Sequence, residues 1–408
     1  MRKTGGLVKA EELQEENMGQ KERIPQLDIF RAISIFAVVA IHATSRTLAE
    51  TLNTPLFHPF LFINKFSQFA VPSFVFLSGF VLFYNYIDRP LTGRTLGKFY
   101  SRRLIYILVP YAIFTLLYFV LRLYAGNQWS LPPQEMAAKI AKYALTGTAY
   151  THLYYVIIII QFYVLFPLLL WALQKSRRLA AWAPLIGLAL QWGFVVLNKY
   201  MVNHGYWHVS KGSLAITYFS YFLLGAAIAV FYSSLKPWLI PWEDRKRRGP
   251  WLLWAVLWVA WLAAGIAHVE LWNRNYTQKT VINSFWFEGA ANAHALLSCL
   301  LLFQLSFLLF GAGRRLGSRL LISAGVCSFG IYLVHPAMLF FYRKIEFHGG
   351  YLAYVLAIAG GWLASLVLSW IIVALAFRFI RPAWILFGSA PGRPARQMQK
   401  VRQEHNGV

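Results

Sequence analysis

Apolar runs of about 18 residues or more recur along the whole chain, each long enough to cross the hydrocarbon of a bilayer. Ten can be marked, at 27–48, 64–87, 103–124, 152–174, 180–198, 213–235, 251–268, 285–310, 321–342 and 351–378. Between them stand charge clusters or Gly, Pro and Asn, as in DRPLTGRTLGK, AGNQWSLPPQEM, KPWLIPWEDRKRRGP and GAGRRLGSR. A water-soluble protein of 408 residues has no place to hide 58% hydrophobic residues against only 13% charged ones. The expected fold is all-α: a polytopic transmembrane helical bundle of about ten spans.

This divides the chain into a polar N-terminal tail (1–26), a membrane domain (27–381) and a basic C-terminal tail (382–408) expected to be disordered. The first tail has neither a short apolar core nor a cleavage site, so the first span serves as the insertion signal. No internal repeat and no appended soluble domain is evident.

A net charge of +24 would by itself suit nucleic acid, but the basic residues gather on no single element. With the N-terminus inside, 27 of the 39 Lys and Arg residues fall in inner segments and 11 in outer ones, leaving Arg31 within the first span. That bias places both termini in the cytoplasm; the expected location is the plasma membrane, as a multi-pass protein whose partner is the bilayer rather than nucleic acid. Cys299 and Cys327 lie inside expected spans, with no disulfide framework and no metal-ligand spacing, so no metal is expected.

Against this background the ionisable residues inside spans carry the information. Arg31 and His42 lie eleven positions apart on the first span, about 20° from eclipsed and about 16 Å apart along the axis. An arginine near a helix end can snorkel to the headgroups. A short histidine deeper in the span needs a polar interior or a neighbouring helix to satisfy it. Sharing one face points to a polar cavity through the bundle.

His335, in FGIYLVHPAML, matches His42 in depth; its plain alternative is a side chain satisfying a carbonyl freed by Pro336. His152 and Tyr154 open the fourth span, where an interfacial aromatic belt would also explain the tyrosine. Glu288 and His294 enter the eighth, and Glu288 also suits an interface. Ser73, Ser78 and Gly79 suit close helix packing. Arg94, Lys98, Arg102 and Arg103 cluster at the start of the third span, either as topology-setting charge or as forks for an anionic cytosolic ligand.

Taken in order, LDIFRAISIFAVVAIHA, VPSFVFLSGF, YSRRLIYILVPY, HLYYV with FYVLFPLL, and SFGIYLVHP resemble the membrane-bound acyltransferase 3 family over Leu27 to about Arg381. The resemblance implies ten core helices and an integral membrane O-acyltransferase that draws on a cytoplasmic acyl-CoA, usually acetyl-CoA, and modifies a cell-surface glycan or lipid-linked sugar. It further implies that His42 is catalytic with Arg31 as its electrostatic companion, and that Arg102 and Arg103 serve the donor. Two positions depart from the family pattern: Tyr106 replaces a further arginine, and Tyr154 a tryptophan.

The chemistry expected is acyl transfer, with His42 as general base or acyl carrier and His335 orienting it or the acceptor. Lys98, Arg102 and Arg103 would hold the donor's phosphates, and His152, Tyr154 and Glu288 would face the acceptor. A transporter or flippase for a glycan or lipid-linked sugar also lines a path with buried Arg and His, and is the alternative, though such proteins more often show repeats. A histidine-based pH sensor is a third.

Overall fold

In the computed structural model the apolar runs are helical. The structure describes residues 21–206, 211–240, 248–278, 282–312 and 315–389; most of both expected tails therefore lies outside the described residues, as do parts of two charged connections. The helices are α1 (Gln26–Ala43), α2 (Thr47–Glu50), α3 (Phe57–Phe66), α4 (Ala70–Tyr86), α5 (Gly93–Gly126), α6 (Pro133–Thr146), α7 (Tyr154–Lys175) and α8 (Arg177–Asn203). They continue with α9 (Phe219–Val230), α10 (Tyr232–Leu239), α11 (Arg248–Thr277), α12 (Ser284–Ala312), α13 (Arg315–Val326), α14 (Ser328–Tyr342), α15 (Tyr351–Phe379) and α16 (Trp384–Phe387).

Among the described residues eight helical stretches are long and apolar enough to span a membrane, counting α3–α4 as one, and two bent pairs raise the number to ten. The pairs are α9–α10, bent by 98°, and α13–α14, bent by 78°. Breaks of this kind persist in a membrane only where protein covers the loosened backbone. The second meets that condition, since Ala324, Cys327 and Ser328 around it are buried.

Three features differ from the sequence expectation. The first span stops at Ala43, because Thr44–Arg46 form a turn before α2, so His42 stands in the last turn of its helix. A further helix, α6, fills the connection after α5; Pro133 opens it and Gly147, with φ +69, closes it. Disorder does not begin at residue 382, because α16 docks there, with Phe387 buried against Phe114 and Phe377.

α1 is the hub, packing against α3, α4, α12, α13, α14 and α15. Small residues let backbones close in around it. A Cβ on Gly325 would sit 1.7 Å from the Asp28 carbonyl oxygen, so α13 presses directly on α1 there. Likewise Gly79 of α4 and Gly225 of α9 face each other's helix, with a Cβ on Gly225 only 2.1 Å from the Phe76 oxygen. Side chains turned outward, such as Val256 and Val259 on α11 or Leu356 and Leu363 on α15, form the apolar lipid-facing belt.

Candidate active site

Three imidazoles from distant parts of the chain meet at the C-terminal end of α1. The His42 ring lies 5.2 Å from that of His335 and 6.3 Å from that of His152, and the last two are 5.6 Å apart. Each is positioned by its own local structure. Four residues separate Val38 from His42, so one face of α1 delivers both. Tyr332 and His335, three apart, share a face of α14 in the same way.

The Tyr332 hydroxyl donates to the His152 backbone oxygen and so ties α14 to the turn that precedes α7. On α5, Tyr118 stacks on Tyr150, meets His152 edge-on and donates to the Leu333 oxygen at 2.7 Å. A cavity of about 30 Å³ opens between these groups, lined by Val38, His42, Val71, Phe74, His152, Tyr154, Tyr155 and Tyr332. That is room for one water or one hydroxyl group.

Hydrogen-bond accounting shows what this centre can do. His335 Nδ1 lies 3.0 Å from the Ile331 oxygen. A carbonyl only accepts, so Nδ1 carries the proton and Nε2 keeps the lone pair. That Nε2 is buried without a hydrogen-bond partner, and so are both ring nitrogens of His152. Leaving such an atom unpaired costs about 1–3 kcal/mol. His42 and His152 line the cavity with His335 packed against both, so three unpaired nitrogens gather at one place, and a neutral imidazole can both donate and accept a proton. The alternative of His335 merely satisfying a helix carbonyl accounts for Nδ1 and leaves Nε2 over.

Two residues that sequence reasoning passed over hold the hub helix. Arg343 Nη2 donates to the His42 oxygen at 2.7 Å and to the Ala43 oxygen at 3.2 Å. These are carbonyls that the helix end leaves without intrahelical partners. In the sequence nothing sets Arg343 apart from the other cations of the outer segments. At the other end Asp28, 2% exposed, accepts from Arg31 at 2.6 Å and from Arg23 at 2.6 Å. The i, i+3 spacing of Asp28 and Arg31 was legible.

Arg31 accordingly stays about 16 Å along the axis from His42 and does not line the cavity. Tyr154 lines the cavity. Glu288 does not: it pairs with Lys211 at 2.5 Å. His294 joins a separate buried group, 6.1 Å from the His268 ring and 4.6 Å from that of Phe66.

Lys98 and Arg102 are exposed and Arg103 is half-buried on the first half of α5. Fifteen residues, about 22 Å of helix, separate Arg103 from Tyr118 and its contact with His152. Among the described residues no group of His, Cys, Asp and Glu could hold a metal ion.

A family model described as an acyltransferase domain, that of the acyltransferase 3 family, matches residues 24–374. No curated protein and no solved structure matches the chain. The matched region takes in Asp28 and Arg31, runs through all three histidines and ends in α15, and the chain belongs to the acyltransferase 3 family of integral membrane acyltransferases.

Proposed function

We propose that the protein is an O-acetyltransferase of the plasma membrane, moving an acetyl group from acetyl-CoA to a hydroxyl of a cell-surface glycan or lipid-linked sugar. The observation that supports this reading is the meeting of the His42, His152 and His335 rings beside a hydroxyl-sized cavity, with both nitrogens of His152 and Nε2 of His335 unpaired. Group transfer is also the activity that family membership favours over the transport alternative.

His42 takes the proton of the acceptor hydroxyl, or carries the acetyl group itself. In the first case the acceptor oxygen bonds to the thioester carbonyl carbon, the carbon–sulfur bond breaks, and the proton held on His42 passes to the departing thiolate. His335, with Nδ1 committed to Ile331, presents its Nε2 lone pair to a charged His42 or to the acceptor. His152, in the turn before α7, and Tyr154, at its start, flank the cavity. The donor's phosphates are assigned to Arg102, Arg103 and Lys98, whose forks and point charge suit phosphate oxygens. In this arrangement the end of the bundle holding those cations faces the cytoplasm, as the Lys and Arg bias suggests. Glu288, bound to Lys211, has at most a distant part in acceptor binding.

Replacing His42 with Ala, at equal protein level in membranes, should abolish acetyl transfer to surface glycan measured by mass spectrometry. Undiminished transfer would remove His42 from the chemistry. Arg102→Gln with Arg103→Gln should raise the apparent KM for acetyl-CoA more than it lowers kcat; the reverse would argue against donor binding. Purified protein should also hydrolyse or exchange acetyl-CoA, which a transporter would not do.

A further inference from the structure

A second, larger opening lies beside the same end of α1. It measures about 320 Å³ and is lined by Glu50, Thr51, Thr54, Leu56, Gly349, Gly350, Tyr351 and Tyr354. Its wall is shaped by backbone: Asn53 holds a left-handed φ of 70° between the two threonines, and Gly349 holds φ 146° across from them. The threonine hydroxyls are spent on that shape, Thr51 donating to the Thr47 oxygen and Thr54 to the Thr51 oxygen. Recognition is left to Glu50, Tyr351 and Tyr354. Tyr354 donates to Glu50 Oε2 at 2.6 Å, leaving Oε1 as a further acceptor.

The groove lies a short run of chain from the histidine centre: Arg343 donates to the His42 carbonyl and reaches Ser45 Oγ, and α2, which begins at Thr47, carries Glu50 to the groove. We propose that this groove docks the acceptor, a polyhydroxylated molecule of monosaccharide size or one sugar of a longer chain, and sets one of its hydroxyls toward His42. The inference rests on the acyltransferase reading. The Glu50 carboxylate and two phenols supply partners for a sugar's hydroxyls, while the tyrosine rings and Leu56 supply apolar surface for its C–H face. The volume falls at the lower end of small-molecule pockets.

Two substitutions reach the groove by different routes. A Cβ on Gly350 meets nothing within 4 Å and its φ of −79° suits any residue, so Gly350→Leu fills the groove without a clash in the fold. Glu50→Gln keeps shape and removes charge. Purified protein would be given acetyl-CoA with glucose, galactose, N-acetylglucosamine or glycerol as acceptors, and 1-octanol as the single-hydroxyl control. Each variant should raise the KM for the acetylated sugar at least fivefold, with the KM for acetyl-CoA unmoved.

The groove assignment is overturned if both variants keep the sugar KM of the unmodified protein, or if the donor KM rises equally. It is also overturned if 1-octanol is the better acceptor, or if acetyl-CoA is hydrolysed while no polyhydroxyl compound is acetylated. A protein that neither hydrolyses acetyl-CoA nor acetylates anything instead refutes the reading on which the groove depends.

Discussion

Arg343→Met tests whether the end of α1 positions the His42 ring. In the folded protein one guanidinium nitrogen serves two terminal carbonyls at 2.7 and 3.2 Å and reaches Ser45 Oγ at 3.5 Å. A hydrogen bond from a charged donor contributes about 1.5–3 kcal/mol. The side chain is only half-buried, so water takes over part of the lost interaction, and the net loss is about 1.5–2 kcal/mol. If His42 reacts only when this last turn is formed, turnover falls by about ten- to thirtyfold.

Burial, then the charge of Arg46, lower the Arg343 pKa from its ordinary value, yet an arginine stays charged at working pH. Arg343→Lys keeps a cation at the helix end and should recover most of the loss. The assay is acetyl-CoA turnover by purified protein, with hydrogen exchange of amides 40–46 as the structural readout. Unchanged turnover and unchanged exchange in the Met variant would refute the positioning role. So would a Lys variant as impaired as the Met one.

Further outcomes follow from the same geometry. His335→Asn can keep a donor near the Ile331 carbonyl but has no Nε2, so turnover should fall by at least about a hundredfold while thermal stability in detergent changes little; normal turnover would count against the lone pair. Asp28→Asn leaves Arg23 and Arg31 without their shared carboxylate and should cost roughly 2–3 kcal/mol, less than a fully buried pair because both arginines are partly exposed; a denaturation midpoint equal to that of the unmodified protein would contradict it. Gly225→Ala should sharply lower the yield of monodisperse protein, since its Cβ meets the Phe76 backbone, whereas Gly193→Ala, with open space around it, should leave yield intact or improve it.

The spans were legible in the sequence because crossing hydrocarbon is a demand each segment meets by itself: length and apolarity suffice. The shared face of Arg31 and His42 was legible for a similar reason, since helical periodicity is local. The kinks at Phe231 and Cys327 were not, as neither break carries a proline or glycine and both depend on what covers them. Tyr332 and His335 could be placed on one face of α14, but not against His152. Glu288 looked like His152 in sequence, and only the neighbouring Lys211 sets it apart.

The chain by itself determined an all-helical membrane protein with basic residues inside its first span, because composition and periodicity act over one turn or one span. Tertiary structure alone decided that imidazoles from α1, α14 and the turn before α7 meet beside one cavity, and that Arg343, 301 residues from His42 along the chain, closes the helix bearing it. Which nitrogens stay unpaired depends on neighbours brought in by packing, and no local pattern of residues encodes them.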